Sequence, residues 1–530
     1  MKRIIAILMA ICTVMVIFSG CDSSSDDTRI NFPLDSDPKY LDPQIASGYS
    51  AQLVVANCFE GLIRYNKDGE LRPAVAESYY ISSDGKLYTF KLRTNAKWQL
   101  TEDFEELFGE GYEKSFNNSV TAHDFVFAMQ RAVSPEINSP RVSSLYPIKN
   151  AKDISLGNKP VDQLGVVAKD DYTLQITLER PSPDFLPSLT DSVFMPCNKK
   201  FYEATKGRYG TDVEFLLCNA PMHLSAWDDD GTYLILEKSK DYKGESKAAA
   251  SSLGFYVNTD AESKLMKLND DTYCASPIDS SFIDGVAKDC SLKVFENSIY
   301  SLVFNCENEI FSNLNLRLAF CNGIKLQNDS KPAGFIPKSC TIGEKLYREL
   351  AGSAHTVAYN DINAKDYFEK GFAELKNPPE NITLLCTAET EALAKSLLPD
   401  WQKLFGYRLI VKIEVAESIE ERLKDGDYTF AITSVSSDNE TAVGFVSRFG
   451  SENEKNIAKY KSQNLNTVIN QLQLSRSQAD LTAGCKQAEE HLMQNGVVYP
   501  LASKKSYLAV NKNYEDICIF PSGENICFVK

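Results

Sequence analysis

The fold of this chain is decided by residues 382–433, ITLLCTAETEALAKSLLPDWQKLFGYRLIVKIEVAESIEERLKDGDYTFAIT, in which short apolar runs alternate with amphipathic segments. The apolar runs, which predict strands, are 382–386, 409–415 and 428–433. The amphipathic segments, which predict helices, are 366–375, 388–405 and 417–423. Strands interleaved with helices indicate a parallel sheet covered by helices. Ligands bind such sheets beyond the carboxyl ends of the strands, which directs attention to the segment after Thr433.

The first half of the chain adds further strand and helix patterns. Half-buried strands are predicted where apolar and polar residues alternate, at 87–93, 172–178 and 233–237. Thr121 and Asp124 form a capping-box pattern, and the apolar helical repeat that follows stops near Pro135. The whole pattern predicts a mixed α/β protein.

The length, composition and charge of the chain exclude some classes of protein and some partners. A chain of 530 residues is longer than one hydrophobic core usually supports, so two or three lobes are expected. The 43% of hydrophobic residues is typical of a well-packed globular protein and not of a disordered one. A formal net charge of −16 argues against nucleic acid or an anionic membrane surface as a partner.

Residues 1–20 have the features of a cleaved export signal: a basic start, a short apolar run and small residues before Cys21. The cysteine at this junction resembles the lipobox of bacterial lipoproteins, in which it is diacylated and begins the mature chain. Phe18 stands where that motif usually has Leu. We predict lipidation at Cys21, with 21–28 as the lipidated tether, and no second segment is apolar enough to cross a bilayer. An ordinary secreted protein is the alternative.

Cysteines and histidines give no sign of a metal centre. The cysteines after Cys21 are scattered without any C-x-x-C pair, and the chain has only four histidines. A metal site needs clustered ligands, so neither a metal nor another cofactor is predicted. Apolar neighbours at 319–321 and 384–386 indicate thiols that act as small hydrophobes. Disulfides remain possible in an exported protein.

Enzyme motifs are also missing from the sequence. It contains no nucleophile elbow, zinc-protease motif, phosphate loop or dinucleotide fingerprint. The histidines are predicted to be structural: His123, His223, His355 and His491. Acidic runs at 105–106 and 228–230 are predicted to lie in solvated loops. No enzyme is predicted, although the paired carboxylates of a surface hydrolase stay an open alternative because their closeness is spatial.

Short motifs occur in a fixed order along nearly the whole mature chain. They are LDP at 41–43, FEGL at 59–62, LRPAVAE at 71–77, YTFKLR at 88–93, AKW at 96–98, VTAHDF at 120–125, GNKP at 157–160, LGV at 164–166, FN at 304–305, RLA at 317–319, IP at 336–337 and AKYKS at 458–462. In this order they resemble family 5 of the extracytoplasmic solute-binding proteins, and in particular the oligopeptide-binding lipoproteins of peptide ABC transporters.

The resemblance implies an α/β fold of the two-lobed, class II periplasmic-binding-protein type. Two lobes with mixed sheets are joined by a two-strand hinge, and a third domain is inserted in the first lobe. The implied limits are 29–70, 189–258 and 497–530 for lobe I, 71–188 for the inserted domain II, and 259–496 for lobe II, the third domain. The implied protein is a lipid-anchored receptor on the outer surface of a Gram-positive cell or in the periplasm. It captures oligopeptides between closing lobes and delivers them to the permease subunits of an ABC importer.

A receptor for many peptides must bind what all peptides share. Extended peptides pair with exposed main-chain edges, side chains enter hydrated pockets, and the terminal ammonium needs a carboxylate partner. In the family this carboxylate is an Asp seven residues before a Phe, and here Asp438 lies seven residues before Phe445. The remaining residues predicted to bind ligand are Ser436, Ser437 and Asn439 beside it, Ser47, Gly48 and Tyr49 as the facing edge, and Arg141 in place of a peptide-contacting aromatic residue. The alternative is that Asp438 is only one of several polar residues in a loop.

Several departures from the family leave the ligand open. The stretch 433–437 is shorter and lacks the family's Trp, Cys and Arg, and the loop 99–119 is longer and acidic. No His or Arg matches the residues that meet the ligand's carboxylate. Peptide length and side-chain preference are therefore undecided. The alternative is a protein of the same fold that binds another ligand, such as an oligosaccharide or a metal chelate.

Overall fold

The computed structural model describes residues 28–100, 104–112, 116–326, 331–437, 441–520 and 526–529. Across these ranges, three larger sheets organise the protein, and helices pack against them. None of the helices in these ranges combines the length and apolarity needed to cross a bilayer. The predicted lipidation site Cys21, the predicted ammonium site Asp438 and its neighbour Asn439 lie outside the described residues.

The sheet of lobe I joins strands from distant parts of the chain. Its strands, in spatial order, are Arg29–Leu34, Ser252–Val257, Tyr233–Lys238 and Met222–Trp227. The first two are parallel and the other neighbours are antiparallel. Phe32, Phe255 and Phe528 pack together beneath this sheet, with ring centroids 5.5 to 6.4 Å apart. The last described residues therefore complete the core that the first strand begins.

Domain II has an antiparallel sheet of its own. Its strands, in spatial order, are Ala76–Ile81, Leu87–Leu92, Thr173–Thr177 and Val166–Asp170. The helix Ala122–Val133 covers it, and its start confirms the predicted capping box: the backbone N–H of Thr121 donates to Asp124 at 2.7 Å. The other helices of lobe I and domain II are Tyr49–Cys58, Phe104–Phe108, Ala151–Ser155, Phe185–Ser188 and Lys199–Ala204.

Lobe I and domain II share one continuous hydrophobic core. A buried ion pair crosses between them: Arg131 donates from Nη1 to Oδ2 of Asp42 at 2.6 Å and from Nη2 to Oδ1 at 2.5 Å. Each of these two side chains is 4% exposed. The Arg131 guanidinium also lies over the rings of Tyr202 and Tyr209, at 4.5 and 5.3 Å from their centroids. The two domains are thus joined by a desolvated charge pair as well as by apolar packing.

Lobe II contains the sheet predicted from residues 382–433. Its strands, in spatial order, are Ala275–Ile278, Val498–Asn511, Cys290–Phe304, Phe430–Ser436, Asn381–Cys386 and Ile410–Val415. The last three are parallel, which confirms the prediction. The helices between and around them are Leu314–Asn322, Tyr347–Ala351, Asp361–Glu374, Glu391–Phe405, Glu420–Asp425, Ala442–Ser447, Gln463–Leu474 and Gln478–Gln494.

Two long antiparallel strands, Cys290–Phe304 and Val498–Asn511, run from one lobe to the other, and we name them the hinge strands. Leu508 and Val510 belong to the core of lobe I, whereas the opposite ends of both strands belong to the cores of lobe II. The register of the pair shifts between Phe295 and Ser298, near the middle. A bulge of this kind bends and twists a strand locally.

The segment that follows residue 258 packs on lobe I at its start. The helix Ala261–Asn269 precedes the strand Ala275–Ile278, and Cys274 lies in the core of lobe I. The backbone N–H of Cys274 donates to the carbonyl of Asn31 at 3.0 Å, so the start of the segment 259–496 packs on lobe I. The exact limits between the domains stay a prediction.

The structure corrects the prediction of a loop at residues 105–106 and adds detail to the prediction about the cysteines. Glu105 lies in the helix Phe104–Phe108 and not in a loop, because Phe104 and Phe108 stack at 4.5 Å and pack against Phe116. Among the described residues no cysteine forms a disulfide, and most of the cysteines are buried, as expected of small hydrophobes.

Candidate functional site

A cavity of about 630 Å³ lies between the two lobes. Its walls come from all three parts of the fold, with Glu60 and Arg64 from lobe I, Arg141 and Asp184 from domain II, and residues 443–455 from lobe II. This volume is within the range of pockets that hold small organic ligands. The position also matches the sequence-based expectation of a site beyond the carboxyl ends of the lobe II strands.

The rim of the cleft is bridged by contacts between the lobes. They are Arg72–Glu344 at 3.5 Å, Lys152–Glu454 at 3.3 Å, Arg180–Gln473 at 3.4 Å and Arg476 to the carbonyl of Ser82 at 3.4 Å. The charged partners among them are largely exposed. Exposed ion pairs contribute about 0–1 kcal/mol each. These bridges therefore hold the lobes together only weakly.

Among the predicted site residues, Arg141 has a side chain whose contacts in the cleft are well defined. It lines the cavity, and its Nε donates to Oδ1 of Asp191 at 2.6 Å. The hydroxyl of Ser144 donates to the other oxygen of Asp191 at 3.2 Å. The charge of Arg141 is thus balanced by a protein carboxylate at the cleft surface.

Glu60 forms the buried floor of the cleft on the lobe I side. It accepts hydrogen bonds from Arg93 at 2.6 Å and from the Tyr242 hydroxyl at 2.9 Å. Burial, and after it the charge of Glu60, raises the pKa of Tyr242 to about 12. Because Glu60 lies within the FEGL motif, the role of this motif in the structure is to anchor a buried charge network.

Asp184 is the carboxyl of domain II that faces lobe II. It lines the cavity, and its side chain is hydrogen-bonded to Thr441, the N-cap residue of the helix Ala442–Ser447. Burial raises the pKa of Asp184 to about 7, and the hydrogen bond from Thr441 opposes this rise only in part. The interlobe contact therefore includes an acid that is easily protonated.

The other residues predicted to bind ligand fall in different places. Ser437 lines the cavity, and the carbonyl of Ser436 accepts a hydrogen bond from Arg448, which also lines it. Ser47 and Gly48 are exposed and precede the helix Tyr49–Cys58, where Gly48 takes a φ of 81° as the N-cap residue. Within the described residues, these two and Tyr49 are not among those that line the cavity. A ligand-binding role for any of them stays a prediction.

The cavity residues without a counterpart in the sequence-based site include the charged residues Arg64, Asp184 and Arg448. Asp184 follows Pro181-Ser182-Pro183, a sequence that favours an extended turn, and this is the only signal that marks its position. Arg64 and Arg448 carry no comparable signal, because their approach to the cleft depends on tertiary packing.

Comparisons with known proteins agree with this architecture. The profile described as "Bacterial extracellular solute-binding proteins, family 5 Middle" matches residues 70–456. The "Dipeptide-binding protein DppE" of Bacillus subtilis is 25% identical over 507 residues, covering 92% of this chain and 89% of its own.

Two solved structures have the same fold, each with a TM-score of 0.70 and 23% identity. One is "Listeria monocytogenes OppA bound to peptide", with 95% of this chain and 98% of that chain covered. The other is the substrate-binding domain of an oligopeptide ABC transporter from Bacillus anthracis, with 96% and 98% covered. They confirm the predicted two-lobed class II fold. The chain belongs to the bacterial extracellular solute-binding proteins of family 5, which are receptors and not enzymes.

Proposed function

We propose that this protein captures oligopeptides in the cleft between its lobes and delivers them to the permease subunits of an ABC importer. The observation that carries the proposal is the cavity of about 630 Å³, which all three parts of the fold line, in a chain whose relatives are named for binding dipeptides and oligopeptides. The cavity walls carry side chains of both charges, as a ligand with an ammonium and a carboxylate requires. Mass spectrometry of the ligands released when the purified protein is denatured tests the proposal directly.

Peptide binding is expected to close the lobes and to stabilise the fold. A ligand present at a hundredfold excess over its dissociation constant adds about 2.7 kcal/mol to the free energy of unfolding. A mixture of peptides should therefore raise the melting temperature, and it should reduce the radius of gyration measured by small-angle X-ray scattering, because hinge closure makes the molecule more compact. A response to oligosaccharides in the absence of any response to peptides would assign the cleft to a different solute.

The mature receptor is expected to be held at the membrane by a lipid on Cys21. Changing Cys21 to Ala removes the acceptor thiol, so the protein should move from the membrane fraction to the medium or the periplasm. Cys12→Ala, which alters a thiol inside the same leader, is the matched control and should leave the distribution unchanged. Detergent partitioning that is identical for the Cys21 variant and the unchanged protein would contradict lipidation at this residue.

A further inference from the structure

Asp184 makes no side-chain hydrogen bond to the described residues of its own domain. It stands at the N-cap position of the short helix Phe185–Ser188, but its carboxylate makes no hydrogen bond to the helix. The backbone carbonyl of Asp184, and not its side chain, accepts the hydrogen bond from Ser188 at 3.0 Å. The side chain instead lines the cavity between the lobes.

Most of the other acids that line the cavity already have partners in the protein. Their partners are Arg93 for Glu60, the backbone N–H of Asn150 for Glu179, Arg141 for Asp191 and Lys152 for Glu454. Glu452 is exposed to solvent. Asp184 differs from all of them because it is partly buried in the cleft and, among the described residues, forms no ion pair with a Lys or Arg. A carboxylate that is removed from water without a cationic partner is unfavourable.

Among the described residues, the groups near Asp184 include one hydrogen-bond donor and one cation, and none of them forms an ion pair with it. Thr441 of lobe II gives it one hydrogen bond. Its charge also acts on the Tyr88 hydroxyl in the domain II sheet and on the Cys485 thiol in the helix Gln478–Gln494. Arg476 is the nearby cation, and its charge acts on Tyr88. Burial raises the pKa of Asp184, because the charged carboxylate is less well solvated there. A cation bound beside it would stabilise the charged form.

We infer that Asp184 is a subsite for a cationic ligand side chain, so that this receptor prefers peptides that contain Lys or Arg. The inference rests on the proposed peptide-binding function. A Lys or Arg side chain that enters the cavity would supply the missing cation, and the resulting pair would be enclosed by both lobes. The hydrogen bond to Thr441 holds the carboxylate in place from the opposite lobe.

Affinity measurements on matched peptides test the inference. Short peptides with Lys placed at each position in turn are compared with peptides that carry norleucine, its uncharged analogue, at the same position. The unchanged protein should bind the Lys peptide roughly thirtyfold or more tightly at one position, as is typical of an enclosed charge pair. Asp184→Asn should abolish this preference, and Asp184→Glu, which keeps the charge, should retain part of it. Asp229→Asn, which neutralises an exposed acid outside the cavity, is the control and should change nothing.

Proton release gives a second measurement on the unchanged protein. Burial raises the pKa of Asp184 to about 7, so part of the Asp184 population carries a proton near neutral pH, and binding of a Lys side chain would displace it. Calorimetry in two buffers with different heats of ionisation should show proton release for the Lys peptide and none for the norleucine peptide. Affinity for the Lys peptide should also weaken as the pH falls below 7, because Asp184 becomes neutral while the ammonium stays charged.

The outcomes separate this inference from the proposed function. Peptide binding without any preference for Lys, or an equal loss for Lys and norleucine peptides in Asp184→Asn, would overturn the subsite and leave peptide capture intact. A loss in Asp184→Asn that disappears when the peptide is N-acetylated would overturn it too, because Asp184 would then bind the terminal ammonium. Failure to bind any peptide would overturn both.

Discussion

Replacing Asp42 with Ala is expected to lower the free energy of unfolding by about 3–5 kcal/mol, the usual cost of leaving one member of a buried ion pair alone. Arg131 would keep its full charge at a site where it is 4% exposed, with Tyr202 and Tyr209 against its guanidinium. The carboxylate of Asp42 also accepts from the backbone N–H of Gln44 at 3.0 Å, so the variant loses this hydrogen bond as well. Urea unfolding at pH 7 measures the loss.

Two controls define what the Asp42 result means. Lys152→Ala removes one member of an exposed interlobe pair, and it should cost less than about 1 kcal/mol. The double variant Asp42→Leu with Arg131→Met replaces both charges by apolar side chains, and it should be more stable than Asp42→Ala. A loss below 1 kcal/mol in Asp42→Ala would show that water reaches the Arg131 guanidinium and that the pair is not desolvated.

Changing Asp438 to Asn is expected to weaken peptide binding by about 2–5 kcal/mol, or roughly thirtyfold to several thousandfold. Asn keeps the shape of the side chain but lacks the charge that balances the peptide ammonium. Ser437, the preceding residue, lines the cavity, and Phe445, seven residues later, is buried against Phe335 at a ring distance of 5.0 Å. These neighbours support the choice of Asp438.

N-acetylated peptides make the Asp438 experiment specific. They lack the terminal ammonium, so they should bind the unchanged protein weakly and lose far less on mutation. Calorimetry on the four combinations of protein and peptide gives the coupling energy between Asp438 and the ammonium. Equal losses for free and acetylated peptides would mean that Asp438 shapes its loop. The same four-way design with Asp184→Asn should show no coupling to the terminal ammonium.

The sequence predicts the helix-covered part of lobe II well because its strands are continuous apolar runs. It is less accurate at the ends: the strand predicted at 428–433 is Phe430–Ser436, because it pairs with the hinge strand from Ser298 to Phe304. The helix predicted at 417–423 is Glu420–Asp425. Such limits depend on contacts between segments that are far apart in sequence, and local patterns do not contain them.

The same reason explains which parts of the candidate site the sequence reveals. Ser437 and Arg141 can be placed at the cleft through motifs and spacing, and both line it. Asp184 cannot, because its inferred role depends on Thr441, a residue of the other lobe, and on the lack of an ion pair with any described Lys or Arg. Charge balance in a cleft is a property of the folded molecule.

The cluster of Phe32, Phe255 and Phe528 has a consequence for the order of folding. The three parallel strands of lobe II lie within residues 381–436, so they pair over short separations in sequence. Lobe I, in contrast, completes its core only when Phe528 packs against Phe32, which lies far from it in sequence. Contacts between residues so distant in sequence form slowly. The core of lobe I is therefore expected to form later than the parallel strands of lobe II.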